Sequence, residues 1–104
     1  MKNIYLDIDG VLIPYKSQEQ VSGVLEFLKY ITENFEVFWL TTHCKSERDL
    51  MHVRSYVSRW VPGSEKYIEK IRPTYWYMNK TEGIDFTKDF LCLMTSQDNL
   101  NLMN

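Results

Sequence analysis

The feature that most constrains this chain lies at its start, where an apolar run from Ile4 to Ile8 carries Asp7, with Asp9 and Gly10 directly after it. Ile4, Leu6 and Ile8 around Tyr5 suit a core strand of a parallel sheet, which is short, apolar and closed by a turn. Residues at i and i+2 of a strand project to one face, so the spacing predicts that both acids emerge together where the strand ends. Gly10 lets the backbone reverse without a side-chain clash. Two carboxylates held that close repel each other unless a cation lies between them, and an all-oxygen site suits a hard ion such as Mg2+. A bare Asp-x-Asp-Gly is equally often a solvated turn. Position favours a site, because open α/β sheets bind ligands at the carboxyl ends of their strands.

With 104 residues the chain is expected to form one domain over 1–104, with a single core and no room for a separate cap. Hydrophobic residues at 44% and charged residues at 25% place it among globular chains rather than disordered ones. A formal net charge of −2 gives no polyanion-binding surface, so nucleic acid is not expected as a partner. The amino-terminal residues lack the basic, apolar and small-residue order of a secretory leader, and no apolar run approaches the roughly 20 residues of a membrane span. Two cysteines, Cys44 and Cys92, make no disulfide framework. A reduced, cytoplasmic chain is the expectation.

After the acidic turn, Val11-Leu12-Ile13 closed by Pro14 is expected to pack over the site as a small flap. Tyr15 to Gln20 reads as a loop, with Ser17 or Ser22 available as a helix cap. Val21, Val24, Leu25, Leu28 and Ile31 recur at helical spacing, predicting an amphipathic helix over about 22–33 that ends at Asn34. Phe35 to Leu40 is rich in the aromatic and β-branched residues of strands and ends in the polar tip Thr41-Thr42-His43-Cys44. Ser46 and Asp49 resemble a capping box, with Leu50, Val53, Val57 and Trp60 marking a second helix over about 47–59 that Pro62-Gly63 stops. Two strands joined by a helix form a parallel unit with a right-handed crossover. Tyr67, Ile68 and Ile71 fit either a short third strand or an irregular turn; Asn79 to Asp85 has helical potential, and Phe90 to Met94 is a last buried strand before a polar tail.

Asp-Ile-Asp-Gly-Val-Leu after a first strand, with Trp-Leu-Thr-Thr-His after a second, resembles the haloacid dehalogenase-like hydrolase superfamily, in particular its small, capless members. The likeness covers roughly residues 3–94, and the two motifs at this separation are far more specific than either alone. The resemblance implies a three-layer α/β/α sandwich of the Rossmann-like kind with a small, mostly parallel sheet. It implies Mg2+-dependent hydrolysis of a small phosphorylated molecule through an aspartyl-phosphate.

Carried over residue by residue, the resemblance makes Asp7 the nucleophile and Asp9 the general acid/base, with Asp7 and the Asp9 backbone carbonyl as metal ligands. A carboxylate attacks phosphorus only when cations offset the repulsion between two anions, and a covalent intermediate divides one hard step into two. Thr41 matches the phosphate-holding hydroxyl, with Thr42 beside it; a strand-end Thr is otherwise a simple helix cap. His43 is a loop residue able to meet a leaving group, although a lone loop His is usually just exposed. Lys80 matches the Lys that neutralises charge on the transferring group, with Lys88 and Lys70 as competitors.

The fourth motif departs from the family pattern. Its acids would fall directly after the last strand, where this chain has Met94 and Thr95, and Asp98 is the nearby carboxylate. Asp98 is therefore the remaining metal-ligand candidate, and a catalytically weak or inactive relative that binds a ligand or partner through the same surface is the rival reading. A Cys44–His43 nucleophile pair and a zinc site are both disfavoured, the first for want of an oxyanion loop and the second for want of ligand spacing. Cys44, at a strand tip, is expected to be partly exposed, and Cys92 buried.

Overall fold

The computed structural model describes residues 2–13 and 23–93 of the chain. Three short strands, β1 (Asn3–Leu6), β2 (Glu36–Trp39) and β3 (Phe90–Leu93), form one parallel sheet in the order β2-β1-β3. The register sets Leu6 against Trp39 on one side and Leu93 on the other. Ile4 and Leu6 of β1 therefore share a face with Val37 and Trp39, while Tyr5 shares the opposite face with Phe38 and Cys92. The protein is α/β, as its alternation of strand and helix patterns requires.

The first face carries the main core. Val24, Leu28 and Ile31 of α1 (Val24–Asn34), Val53 and Val57 of α2 (Leu50–Trp60) and Ile68 of α3 (Glu65–Ile68) pack with Ile4, Leu6, Val37 and Trp39. Each helix contributes one stripe, which is why an i, i+3/i+4 pattern was enough to place α1 and α2. The side-chain amide of Asn34 donates to the Tyr30 carbonyl one turn back, and the Phe35 N–H closes the helix on the Ile31 carbonyl. Gly63, at φ 89°, turns the chain after α2 in a conformation that favours glycine. The second face is covered differently, by the largely irregular stretch from Pro73 to Phe86 with one 3₁₀ turn at Lys80–Gly83. Tyr5, Leu40 and Ile84 form its small buried cluster, packed with Phe38, Trp76, Phe90 and Cys92.

Several local expectations are corrected. Ser46 makes no capping bond; Asp49 instead accepts the Lys45 N–H at 2.9 Å, and a 3₁₀ turn over Glu47–Asp49 leads into α2. The third-strand alternative near Tyr67 gives way to the four-residue α3, and the chain beyond it meets β2 at Arg72, through a bridge to Phe38. The N–H groups of Val11, Leu12 and Ile13 all converge on the Ile8 carbonyl, so this segment winds inward. Leu12 and Ile13 join the core rather than cover the site as a flap. The two cysteines exchange environments. Cys44 is fully buried, because its N–H bonds back to the Thr41 carbonyl and folds the strand tip inward, while Cys92 on the sparsely covered face is half-buried. Both are free thiols. Ser17, Ser22, the 15–20 loop and the polar tail lie outside the described residues. Among the described residues no helix is long and apolar enough to cross a membrane.

Candidate active site

The strand order places the acidic turn at a distinctive point. From β1 the chain crosses by α1 to β2 on one side, and from β2 it returns past β1 to β3 on the other. Connections that diverge about one strand open a crevice at its carboxyl end, where open α/β sheets bind ligands. Asp7 and Asp9 directly follow β1 there, and Thr41 lies just beyond the corresponding end of β2.

Asp7 continues the β1–β3 ladder, its N–H donating to the Leu93 carbonyl at 3.0 Å, and it is only 4% exposed. Oδ1 accepts the Ile8 N–H at 2.8 Å, and Oδ2 lies 3.3 Å from the Lys80 ammonium. A carboxylate this buried needs both hydrogen bonds and a cation, and it has them. Lys80 is delivered by the 3₁₀ turn it begins. That turn is anchored by Glu82, whose carboxylate accepts the N–H groups of Tyr77, Met78 and Asn79 at 3.1, 3.3 and 2.8 Å. These bonds, that from Asn79 foremost, hold the Glu82 carboxyl below its ordinary pKa. Of the three lysine candidates, Lys80 reaches Asp7, while Lys70 and Lys88 are exposed.

Asp9 has different neighbours. By Ile8 the backbone has left the strand, so strand alternation no longer governs where the second acid points. Oδ2 of Asp9 lies 2.9 Å from Nε2 of His43, and Oδ1 accepts the Tyr56 hydroxyl at 3.0 Å. The His43 and Tyr56 rings stack at 4.5 Å with an interplanar angle of 23°. Burial, followed by the hydrogen bond to Asp9 and its charge, pushes the Tyr56 phenol above its ordinary pKa, which keeps it a donor. One acid is thus paired with the irregular cover of the second face and the other with α2.

Thr41 is 1% exposed; its Oγ1 accepts the His43 N–H at 3.3 Å, and its carbonyl accepts that of Cys44 at 3.1 Å. It therefore shapes the tip that carries His43, and Thr42 sits exposed at the crest of that turn. Trp76 fastens the tip from below, its indole N–H on the Cys44 carbonyl and its backbone N–H on that of Lys45. The Cys44 thiol donates to the Ser46 carbonyl, and burial, with the nearby charge of Asp49, raises its pKa to about 11. A thiol in that state is the opposite of an activated nucleophile.

A metal ion is tested by the donors present. The described residues contain no group of three His, Cys, Asp or Glu side chains fit to hold one. Mg2+, however, habitually takes one or two carboxylates and fills its octahedron with water and phosphate oxygens. Asp7 and the Asp9 backbone carbonyl suit that limited share. Asp98, Met94 and Thr95 lie outside the described residues.

No protein-family model, no curated protein and no solved structure matches this chain. The residue that sequence reasoning passed over is Tyr56, which sits between the apolar positions of α2. A tyrosine at the edge of an apolar stripe signals only that its hydroxyl needs a partner. The identity of that partner, 47 positions away, is set by how α2 packs on the β1 turn.

Proposed function

We propose that this protein is a Mg2+-dependent phosphoester hydrolase of the haloacid dehalogenase-like kind, acting through an aspartyl-phosphate on a small phosphorylated molecule. The proposed architecture is the three-layer, Rossmann-like α/β/α sandwich of that superfamily, in a capless form. The observation that carries this reading is the buried Asp7 at the divergence point of the sheet, with the Lys80 ammonium 3.3 Å from its carboxylate. A carboxylate presented with a cation at a strand end is equipped to attack a phosphoryl group, because the cation offsets the repulsion between the two anions. Lys80 would hold the charge of the transferring oxygens, and the Thr41–Thr42 tip would supply a hydroxyl and N–H groups for them. Asp9 would give a proton to the leaving oxygen and then take one from the attacking water. His43 and Tyr56 would fix the direction in which its carboxylate points. Mg2+, held by Asp7 and the Asp9 carbonyl, would supply further positive charge toward the phosphate.

The rival, a weakly active or inactive relative that binds a ligand or partner through the same surface, draws on one feature. Both oxygens of Asp9 are already engaged, by His43 and by Tyr56, so a leaving oxygen or an attacking water would have to share or displace one of these bonds. Turnover of an aryl phosphate with and without Mg2+ separates the two readings. An enzyme should lose essentially all activity in Asp7→Asn, whereas Asp9→Asn should retain phosphoryl transfer to Asp7 and stall in hydrolysis. Phosphate release by the unaltered chain that Asp7→Asn leaves unchanged would overturn the mechanism. No turnover under any metal condition would favour the binding module.

A further inference from the structure

A second hollow, separate from the acidic turn, opens on the irregularly covered face of the sheet near the start of β1. It is an open hollow of about 390 Å3 whose lining includes Asn3, Tyr5, Phe38, Thr74, Gly83 and Lys88, together with Tyr75, Glu82 and Asp85. That volume lies within the range of small-molecule sites. Asn3 and Asp7 are four residues apart on an extended strand, roughly 13 Å, so the hollow is not the acid site.

Three features give it chemistry. First, its inner surface holds a polar residue where an apolar one would serve packing better. Asn3 is only 4% exposed, and its amide nitrogen makes a single long bond, 3.4 Å, to the Tyr5 hydroxyl. Its amide oxygen has no hydrogen-bond partner among the described residues. The Tyr5 hydroxyl, itself buried, also accepts the Asp85 N–H at 2.9 Å, so its own proton remains to be given. Turning the Asn3 amide over satisfies that proton but leaves the amide NH2 unpaired instead, so a donor stays open in either case. The Asn3 oxygen is not among the described side-chain atoms sealed from solvent without a partner, so it is reachable from the hollow that Asn3 lines.

Second, the lining is aromatic. Tyr5 and Phe38 stack at 5.4 Å, and the exposed Tyr75 stands at the side. Third, the wall is fixed in place. A Cβ at Gly83 would come within 2.8 Å of Thr74 Cβ, and the Thr74 hydroxyl is itself tied to the Trp39 carbonyl at 2.6 Å. The rim charge is mostly negative. Glu82 is bound by three backbone N–H groups and Asp85 by Thr87, and both are held ionised, with Lys88 opposite.

We infer that this hollow is a binding site for an uncharged, flat heteroaromatic ring whose edge carries a donor beside an acceptor, as adenine does. An Asn amide pairs with such an edge through two hydrogen bonds, its oxygen accepting from the amino group and its nitrogen donating to the ring nitrogen. The aromatic lining suits a flat ring, and two ionised acids at the rim disfavour an anion.

The inference is independent of the proposed hydrolysis and is tested without it. In a 15N-resolved NMR titration of the whole chain with adenosine, the amides of Asn3, Thr74, Gly83 and Ile84 should shift and saturate. The dissociation constant should be on the order of 1 mM or tighter. Asn3→Leu should weaken binding about tenfold, the loss of a hydrogen-bonded edge. Because Asn3 lies in a strand, Tyr75→Ala, an exposed position, serves as the second variant and should also weaken it. Absence of saturation would overturn the site. Shifts confined to Asp9, His43 and Tyr56 would overturn it equally, as would benzyl alcohol, a ring without a polar edge, binding as well as adenosine. Adenosine monophosphate binding more tightly than adenosine would overturn the uncharged specification.

Discussion

The two faces of the three-stranded sheet are covered on different physical principles. One is packed by helices whose apolar stripes interlock with Ile4, Leu6, Val37 and Trp39. The other is covered by irregular chain from Pro73 to Phe86, held by specific hydrogen bonds and a few rings around Tyr5, Leu40 and Ile84. The first kind of cover relies on area removed from water, and the second on individual contacts. The proposed catalytic acids stand where the two meet. Asp7 takes its cation from the irregular side, and Asp9 takes its phenol from the helical side.

If the helical face carries most of the stability, a cavity there should cost far more than one opposite. Leu6→Ala removes a fully buried side chain and should destabilise by about 2–5 kcal/mol. Phe38→Ala, a larger truncation of a half-buried side chain on the other face, should cost less than its size suggests. Chemical denaturation of the two variants measures the contrast, and equal losses would break it. The irregular face should instead be sensitive to crowding. Gly83→Ala forces a methyl group against Thr74 and should cost about 1–3 kcal/mol, read from the same unfolding curves.

The cysteines report on the two covers separately. Cys44, sealed under the helical face, should resist a thiol reagent until the protein unfolds, while Cys92 should react in the native state. Because the folded-state pKa of Cys44 is raised from 9.0 to about 11, the folded form holds its proton more firmly than the unfolded one. Its contribution to stability is therefore fully present below pH 9 and is lost as pH rises toward about 11. A Cys44→Ala protein should show a flatter decline of unfolding midpoint over that interval. The smallest effect is local. Glu82 has a depressed pKa, so its contribution is present above 4.5 and fades as pH falls below that value. Hydrogen-exchange protection of the Tyr77, Met78 and Asn79 amides should drop there before the helical core responds.

The same division explains what was legible beforehand. The strands and the helices α1 and α2 were readable because burial against a flat sheet imposes a period of 2 or 3.6 on the residues themselves. The acidic turn was readable for a related reason, since charges interrupting an apolar run stand out without any partner. The capping role given to Ser46 failed because Lys45 and Asp49 made a competing local bond that spacing alone does not rank. The cysteines exchanged environments because their burial depends on how far the Thr41–Cys44 tip folds back and on how thinly the second face is covered.

By itself, then, the sequence determined the parallel α/β core and marked Asp7 and Asp9 at its first strand end, while the family resemblance named Thr41, and Lys80 ahead of Lys88 and Lys70. Only the tertiary structure decided which groups each acid meets. Asp7 and Lys80 lie 73 positions apart, and Asp9 and Tyr56 lie 47 apart. Contacts at such separations leave no periodic trace, because they depend on the distance between packed layers rather than on the repeat of any one element. The hollow beside Asn3 belongs to the same class. Its wall depends on the Asp85 N–H reaching the Tyr5 hydroxyl 80 positions away, and on Gly83 leaving room for the Thr74 side chain.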